Sequence, residues 1–156
     1  MEDNIMNDIT LIDNYYTIAH IVQFTGLTDR TIRNYISSGI LVGEKANGVW
    51  QFTSEQVETF IHHPAVRPSI IAKKNALIYD FLLNTQKKSD ELCIILDLPT
   101  KDEKEVSEFF CNSILNGDFH DIQFSFDSLN GLPRVIIKGD GQEVLRLINQ
   151  YYQHLQ

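Results

Sequence analysis

Two arginines and an asparagine within residues 30–34 could read the edges of base pairs. In the stretch TDRTIRNYISSGILVGEKANGVWQF, residues 28–52, Arg30, Arg33, Asn34 and Ser37 fall within an arc of roughly 100° if the segment is helical. Ile32 and Ile36 then point the other way, toward a core. A guanidinium forks onto the two acceptors of guanine, and a carboxamide matches the donor and acceptor of adenine, both in the major groove.

A side chain reaches a groove only if short, well-ended elements hold it there. Thr17 is an N-cap for a first helix over 18–25 with Ile18, Ile21 and Val22 on one face, stopped by Gly26, and Leu27 plugs the turn. Thr28 caps the polar helix, which runs to about residue 38 and stops at Gly39, while Ile40 and Leu41 fasten its exit. Asn47-Gly48 is a tight-turn signal between strands over 42–45 and 49–52. Thr53 and Gln56 make a capping box for a third helix, to about residue 62, ended by Pro64.

Beyond Pro64 the pattern changes. A connecting helix is expected from Pro68 to about Lys87, with Ile70, Ile71, Leu77, Ile78, Phe81 and Leu82 forming a wide apolar stripe for a dimer interface or for packing on its own domain. Then follow a buried strand over 92–96, a helix over 102–115, an alternating strand over 122–126, an Asn130-Gly131 turn, a strand over 134–138 and a helix over 142–154 begun by Asp140 and Glu143. The order β-α-β-β-α suits a three-stranded sheet with helices on one face, whose other face stays partly apolar and so invites dimerisation or a ligand. The fold expected is α+β, in four parts: a flexible tail over 1–14, a winged helix-turn-helix domain over 15–63, a connecting helix within 64–88, and a dimerisation or effector domain over 89–156.

YYTIAHIVQFTGLTDRTIRNYISSGIL followed by NGVWQFTSEQVETFI resembles the N-terminal domain of MerR-type transcriptional regulators and of the related excisionase-like proteins. The likeness covers about residues 15–61 and is most specific in Thr28-x-x-Thr31-Ile32-Arg33-x-Tyr35, Gly39-Ile40-Leu41, and Gly48 with Phe52-Thr53. It implies a dimer on double-stranded DNA, with the second helix in the major groove and the wing against the backbone. Thr28, Arg33 and Tyr35 match family positions that touch DNA; Arg30 and Asn34 are added by the helical-stripe argument, and Thr31, Lys45 and Trp50 complete the candidate set. The family's wing carries an arginine between its aromatics where this chain has Trp50-Gln51, which leaves Lys45 as the wing's cation.

Several of these residues have a second reading. Tyr35 lies at the edge of the apolar face and serves packing as readily as contact. Trp50 fits the core beneath the wing better than a base-stacking platform. Arg30 could pair with Asp29 or Glu44.

The chain carries a net charge of −8, awkward for a partner of DNA, yet its distribution is uneven. Between residues 15 and 67, Asp29, Glu44, Glu55 and Glu58 are matched by Arg30, Arg33, Lys45 and Arg67. A neutral reading head predicts weak binding by a monomer, hence a homodimer. Cys93 and Cys111 lie in separate segments without a C-x-x-C pair, which suits a reducing cytoplasm and argues against zinc or a disulfide framework. His62-His63 diverge by about 100° on a helix and lack further ligands, and Gly139-Asp140-Gly141 is too short for a phosphate loop. No membrane span, metal site, cofactor motif or catalytic triad is expected, and so no enzyme. A small-molecule effector is left open, without a ligand named.

Overall fold

The computed structural model describes residues 15–116 and 119–156; the tail expected over 1–14 lies outside them. The architecture is α+β, with six helices and two small sheets among the described residues. Helix α1 (Ile18–Thr25) starts at Thr17, whose hydroxyl accepts from the His20 N–H while His20 Nδ1 accepts the Thr17 N–H at 2.9 Å. Gly26 ends it at φ 75°, and Leu27 is buried. Helix α2 (Asp29–Ser37) is capped by Thr28 and followed by Gly39 at φ 80°. The N–H groups of Ile40 and Leu41 both donate to the Tyr35 carbonyl, which fixes the exit from α2.

A hairpin follows, β1 (Glu44–Ala46) against β2 (Val49–Gln51), with Asn47 and Gly48 both at positive φ as the two-residue turn requires. Its strands are shorter than the expected 42–45 and 49–52. A Cβ on Gly43 would collide with the Phe52 ring, so the chain crosses Phe52 there before pairing begins. Phe52 itself leaves the hairpin and exchanges both backbone hydrogen bonds with Tyr16, each 2.8 Å. Helix α3 (Ser54–Ile61) begins at the Thr53/Gln56 capping box.

Helix α4 (Arg67–Leu83) stops four residues short of the expected Lys87. Asn84 turns extended, and Lys87 Nζ folds back to donate to the carbonyls of Phe81 and Asn84, satisfying groups that a continuing helix would have used. Its apolar stripe is divided along the helix. Only Ile70 is fully buried, while Tyr79, Leu82 and Leu83 are exposed.

The second sheet comprises β3 (Glu91–Asp97), β4 (Gln123–Leu129) and β5 (Leu132–Asp140), all antiparallel neighbours in the order β3-β5-β4. Helix α5 (Glu103–Leu115) joins β3 to β4, and α6 (Gly141–His154) follows β5. Asp102 and Asp140 cap the two helices. Asn130-Gly131 makes the β4–β5 turn, with φ of 54° and 75°.

On one face of the sheet Phe124, Phe126, Val135 and Ile137 meet α1, α5 and α6. Phe24 of α1 meets Phe126 edge-on at 6.3 Å, and Phe110 of α5 stacks on Phe124 at 5.8 Å. Tyr16 is hydrogen-bonded to Ser107 of α5 at 2.5 Å, and His20 Nε2 to Asn112 Oδ1 at 3.1 Å. Buried side chains from α1, α2, α3, the sheet, α5 and α6 therefore belong to one hydrophobic cluster.

The opposite face departs from the expected arrangement of helices on one side only. Asp127 of β4, on the polar side of the alternation, is 2% exposed. It accepts a two-pronged hydrogen bond from Arg67 (2.8 and 2.7 Å) and a third from Lys74 Nζ (2.9 Å), so α4 is tied across that face. Burial alone would push this carboxyl up, but the hydrogen bonds from Arg67 and Lys74 outweigh it and hold the group at about 2. A folded value below the unfolded one means stability that is full above about pH 4 and lost as pH falls toward 2. Acid unfolding followed between pH 5 and 2 should show this loss, of roughly 2 kcal/mol, in the native chain and not in D127N. No helix among the described residues is long and apolar enough to cross a membrane.

Candidate nucleic-acid interface

Helix α2 buries Ile32 alone and packs chiefly on α1. Its polar arc faces outward: Thr28, Arg30, Arg33, Asn34 and Ser37 are all exposed. The expected stripe is thus an exposed one, and no other element among the described residues pairs with the Arg30 guanidinium.

The members of the stripe differ in how they are held. Thr28 Oγ1 accepts the Thr31 N–H at 3.2 Å, and the two hydroxyls lie 2.9 Å apart, so both threonines build the N-cap. Arg33 Nε donates to Asp29 Oδ1 at 2.6 Å, with both side chains more than half exposed. Arg30 pairs with neither Asp29 nor Glu44 among the described residues; the i, i+4 spacing puts Arg33 over Asp29 instead. Such an exposed pair holds by about 0–1 kcal/mol, small enough for a phosphate or base to displace.

Tyr35 sits half-buried, its ring edge-on to Phe60 of α3 at 5.5 Å. Packing therefore accounts for the ring. Trp50 is also half-buried, stacked on Phe52 at 6.3 Å and 15°, and Lys45, its cross-strand partner, lies over its ring at 5.7 Å. The hairpin thus brings Lys45 and Trp50 together as one cationic, flat-sided feature. Among the described residues no ion pair or cation–ring contact links either to the α2 arginines.

Asp29 was assigned by the sequence to Arg30, although its i, i+4 spacing from Arg33 was equally legible. Far less legible were Tyr16 and His20, which join α1 and the residue that leads into it to α5. Nothing in local pattern announces contacts that span more than 90 residues of chain. Among the described residues no group of three or more His, Cys, Asp or Glu could hold a metal, and both cysteines are free.

Chemically the arrangement offers exposed guanidinium and carboxamide groups on a short helix beside a hairpin carrying one lysine. Such groups hydrogen-bond phosphates, base edges or carboxylates. Scans of protein-family models, of curated proteins and of solved structures give no match to this chain.

Proposed function

We propose that the chain is a sequence-specific DNA-binding transcriptional regulator of MerR type, cytoplasmic and dimeric. Residues 15–63 form its winged helix-turn-helix, with α2 lying in the major groove and the β1–β2 hairpin as the wing. The single observation that carries this reading is the outward arc of α2, where Arg30, Arg33 and Asn34 are exposed side by side on a helix whose other face is anchored by Ile32. The sequence resemblance over residues 15–61 supports it, as does the placement of Lys45 at the edge of the hairpin, where it would meet a phosphate. Selection from a random duplex library at low salt tests it: a recurring half-site, repeated with two-fold symmetry, is the expected result, and a pool without enrichment would refute the reading.

A net charge of −8 and a near-neutral head call for two heads on one duplex. The surface for a second copy is the end of α4, where Tyr79, Leu82 and Leu83 share one helical face and are 61%, 64% and 76% exposed. Adjacent apolar side chains of this size seldom face water in a lone chain. The double substitution Leu82→Glu/Leu83→Glu should convert a dimeric mass to a monomeric one in light scattering and weaken operator binding. A mass unmoved by both changes places the dimer elsewhere.

The Asp29–Arg33 pair favours one alternative, a protein-interaction module that keeps this shape but meets a partner surface rather than DNA. Enrichment in the duplex selection decides between them. An excisionase-like architectural factor would instead bend its DNA strongly in a circular-permutation assay.

A further inference from the structure

A cleft of about 590 Å³ opens between α5 and the end of α6, within the size range of small-molecule sites. Its walls include Lys101, Glu105, Phe109, Asn112, Tyr151 and His154. The rings form a connected aromatic wall: Phe109 lies 5.3 Å from Tyr151 and 5.0 Å from His154, the latter tilted by only 33°.

Tyr151 is the unusual member. It is 2% exposed, yet its hydroxyl finds no hydrogen-bond partner among the described residues. The other deeply buried tyrosine, Tyr16, is hydrogen-bonded to Ser107. A phenol buried without a partner is worse than phenylalanine in the same place, because the lost hydration of the hydroxyl is not returned. Burial also pushes the Tyr151 phenol up, so the group is a neutral O–H with a proton to give.

The polar rim adds direction. Glu105, at the mouth, is exposed and in no ion pair among the described residues. Glu108 lines the same cleft but is paired with Lys104 at 3.7 Å, so Glu105 is the acid that faces a ligand there. Asn112 connects the cleft to α1. The Thr17 N–H can only donate, so His20 Nδ1 accepts from it; Nε2 therefore carries the proton and donates to Asn112 Oδ1. The Asn112 carbonyl is thus committed to His20, leaving its NH₂ as the donor that can turn to a ligand.

We propose that this cleft is a binding site for a planar heteroaromatic amine, neutral or cationic, of the aminopyrimidine or aminopurine class. The ring stacks along Phe109 and His154, the exocyclic amino group faces Glu105, and Tyr151 turns its partnerless hydroxyl from its buried position to donate to a ring nitrogen. Occupancy is transmitted to α1 through Asn112 and His20; that this would alter DNA binding rests on the function proposed above, whereas binding itself does not.

The test is calorimetry on the full chain without DNA, using adenine and 2-aminopyrimidine as probes and benzoate as the anionic counterpart. Both amines are expected to bind and benzoate not to. Tyr151→Phe should weaken the amines at least tenfold while leaving the apo melting temperature unchanged or raised, since it deletes only the orphan hydroxyl. Glu105→Gln should weaken them several-fold. In NMR spectra the His20 imidazole signals should shift with adenine in the native chain and not in Tyr151→Phe. The absence of binding by both amines at millimolar concentration would overturn the proposal, as would equal affinity in Tyr151→Phe or benzoate binding as tightly. Because no duplex is present, these outcomes are independent of whether α2 reads DNA.

Discussion

Replacing Arg30 and Arg33 together by alanine is expected to abolish operator binding without unfolding the protein. Both side chains are exposed, and the one ion pair removed, Arg33 to Asp29, lies in water. Each arginine seated on a guanine discriminates by about 1–3 kcal/mol, so deleting two should cost roughly a hundredfold or more in specific affinity. Melting temperature should stay within about two degrees of the native value, because surface changes of this kind move stability by about ±0.5 kcal/mol or less. The salt dependence separates two ways of weakening the complex. If the arginines touch bases, the slope of log affinity against log salt is unchanged; if they neutralise phosphates, its magnitude falls by about 0.9 for each phosphate no longer neutralised. Arg33→Lys refines the point, since lysine keeps the charge but not the fork. Asp29→Asn should act in the opposite sense and tighten binding, because it releases Arg33 from its only ion pair among the described residues. Undiminished operator affinity in the double alanine variant would remove α2 from the interface.

Which segments become helices and turns was legible because the signals are local. Thr17, Thr28, Thr53 and Asp140 each cap the helix they precede, and Asn47-Gly48 and Asn130-Gly131 each turn a hairpin. The exposed arc of α2 was legible for the same reason: a period of 3.6 residues assigns faces without reference to the rest of the chain. Coverage was not legible. Alternation along β4 separates Phe124 and Phe126 from Ser125 and Asp127, but it cannot say that α4 will cross the polar side and bury it. In the same way the spacing of α4 drew one apolar stripe from Ile70 to Leu82 but could not say where along it the core ends: Ile70 is buried and Leu82 exposed. Arg67, which balances the charge of the head when counted along the chain, is consumed by Asp127 and does not contribute to an outward field.

That consumption makes Asp127 the residue whose removal should be felt most in stability. Its carboxylate serves two cations whose side chains are themselves only 16% and 12% exposed. Asp127→Ala would leave Arg67 and Lys74 half-dehydrated, with no opposite charge. Removing one partner of such a buried set typically costs about 3–5 kcal/mol, against a total stability of roughly 5–15 kcal/mol for a domain. A fall of about 10 °C in melting temperature follows for a chain of this size. Asp127→Asn should cost less, since the amide oxygen still accepts one of the hydrogen bonds. The cause is separable from mere packing. If unpaired charge is responsible, a triple variant with Arg67→Met, Lys74→Met and Asp127→Leu should recover most of the stability, because an apolar set of similar volume carries no dehydrated ions. If instead the three groups serve only to position α4, the triple variant should be no better than Asp127→Ala. Urea denaturation of the four proteins decides the matter, and a decrease under about 1 kcal/mol in Asp127→Ala, the size of an ordinary surface pair, would show that α4 is held to the sheet by other contacts.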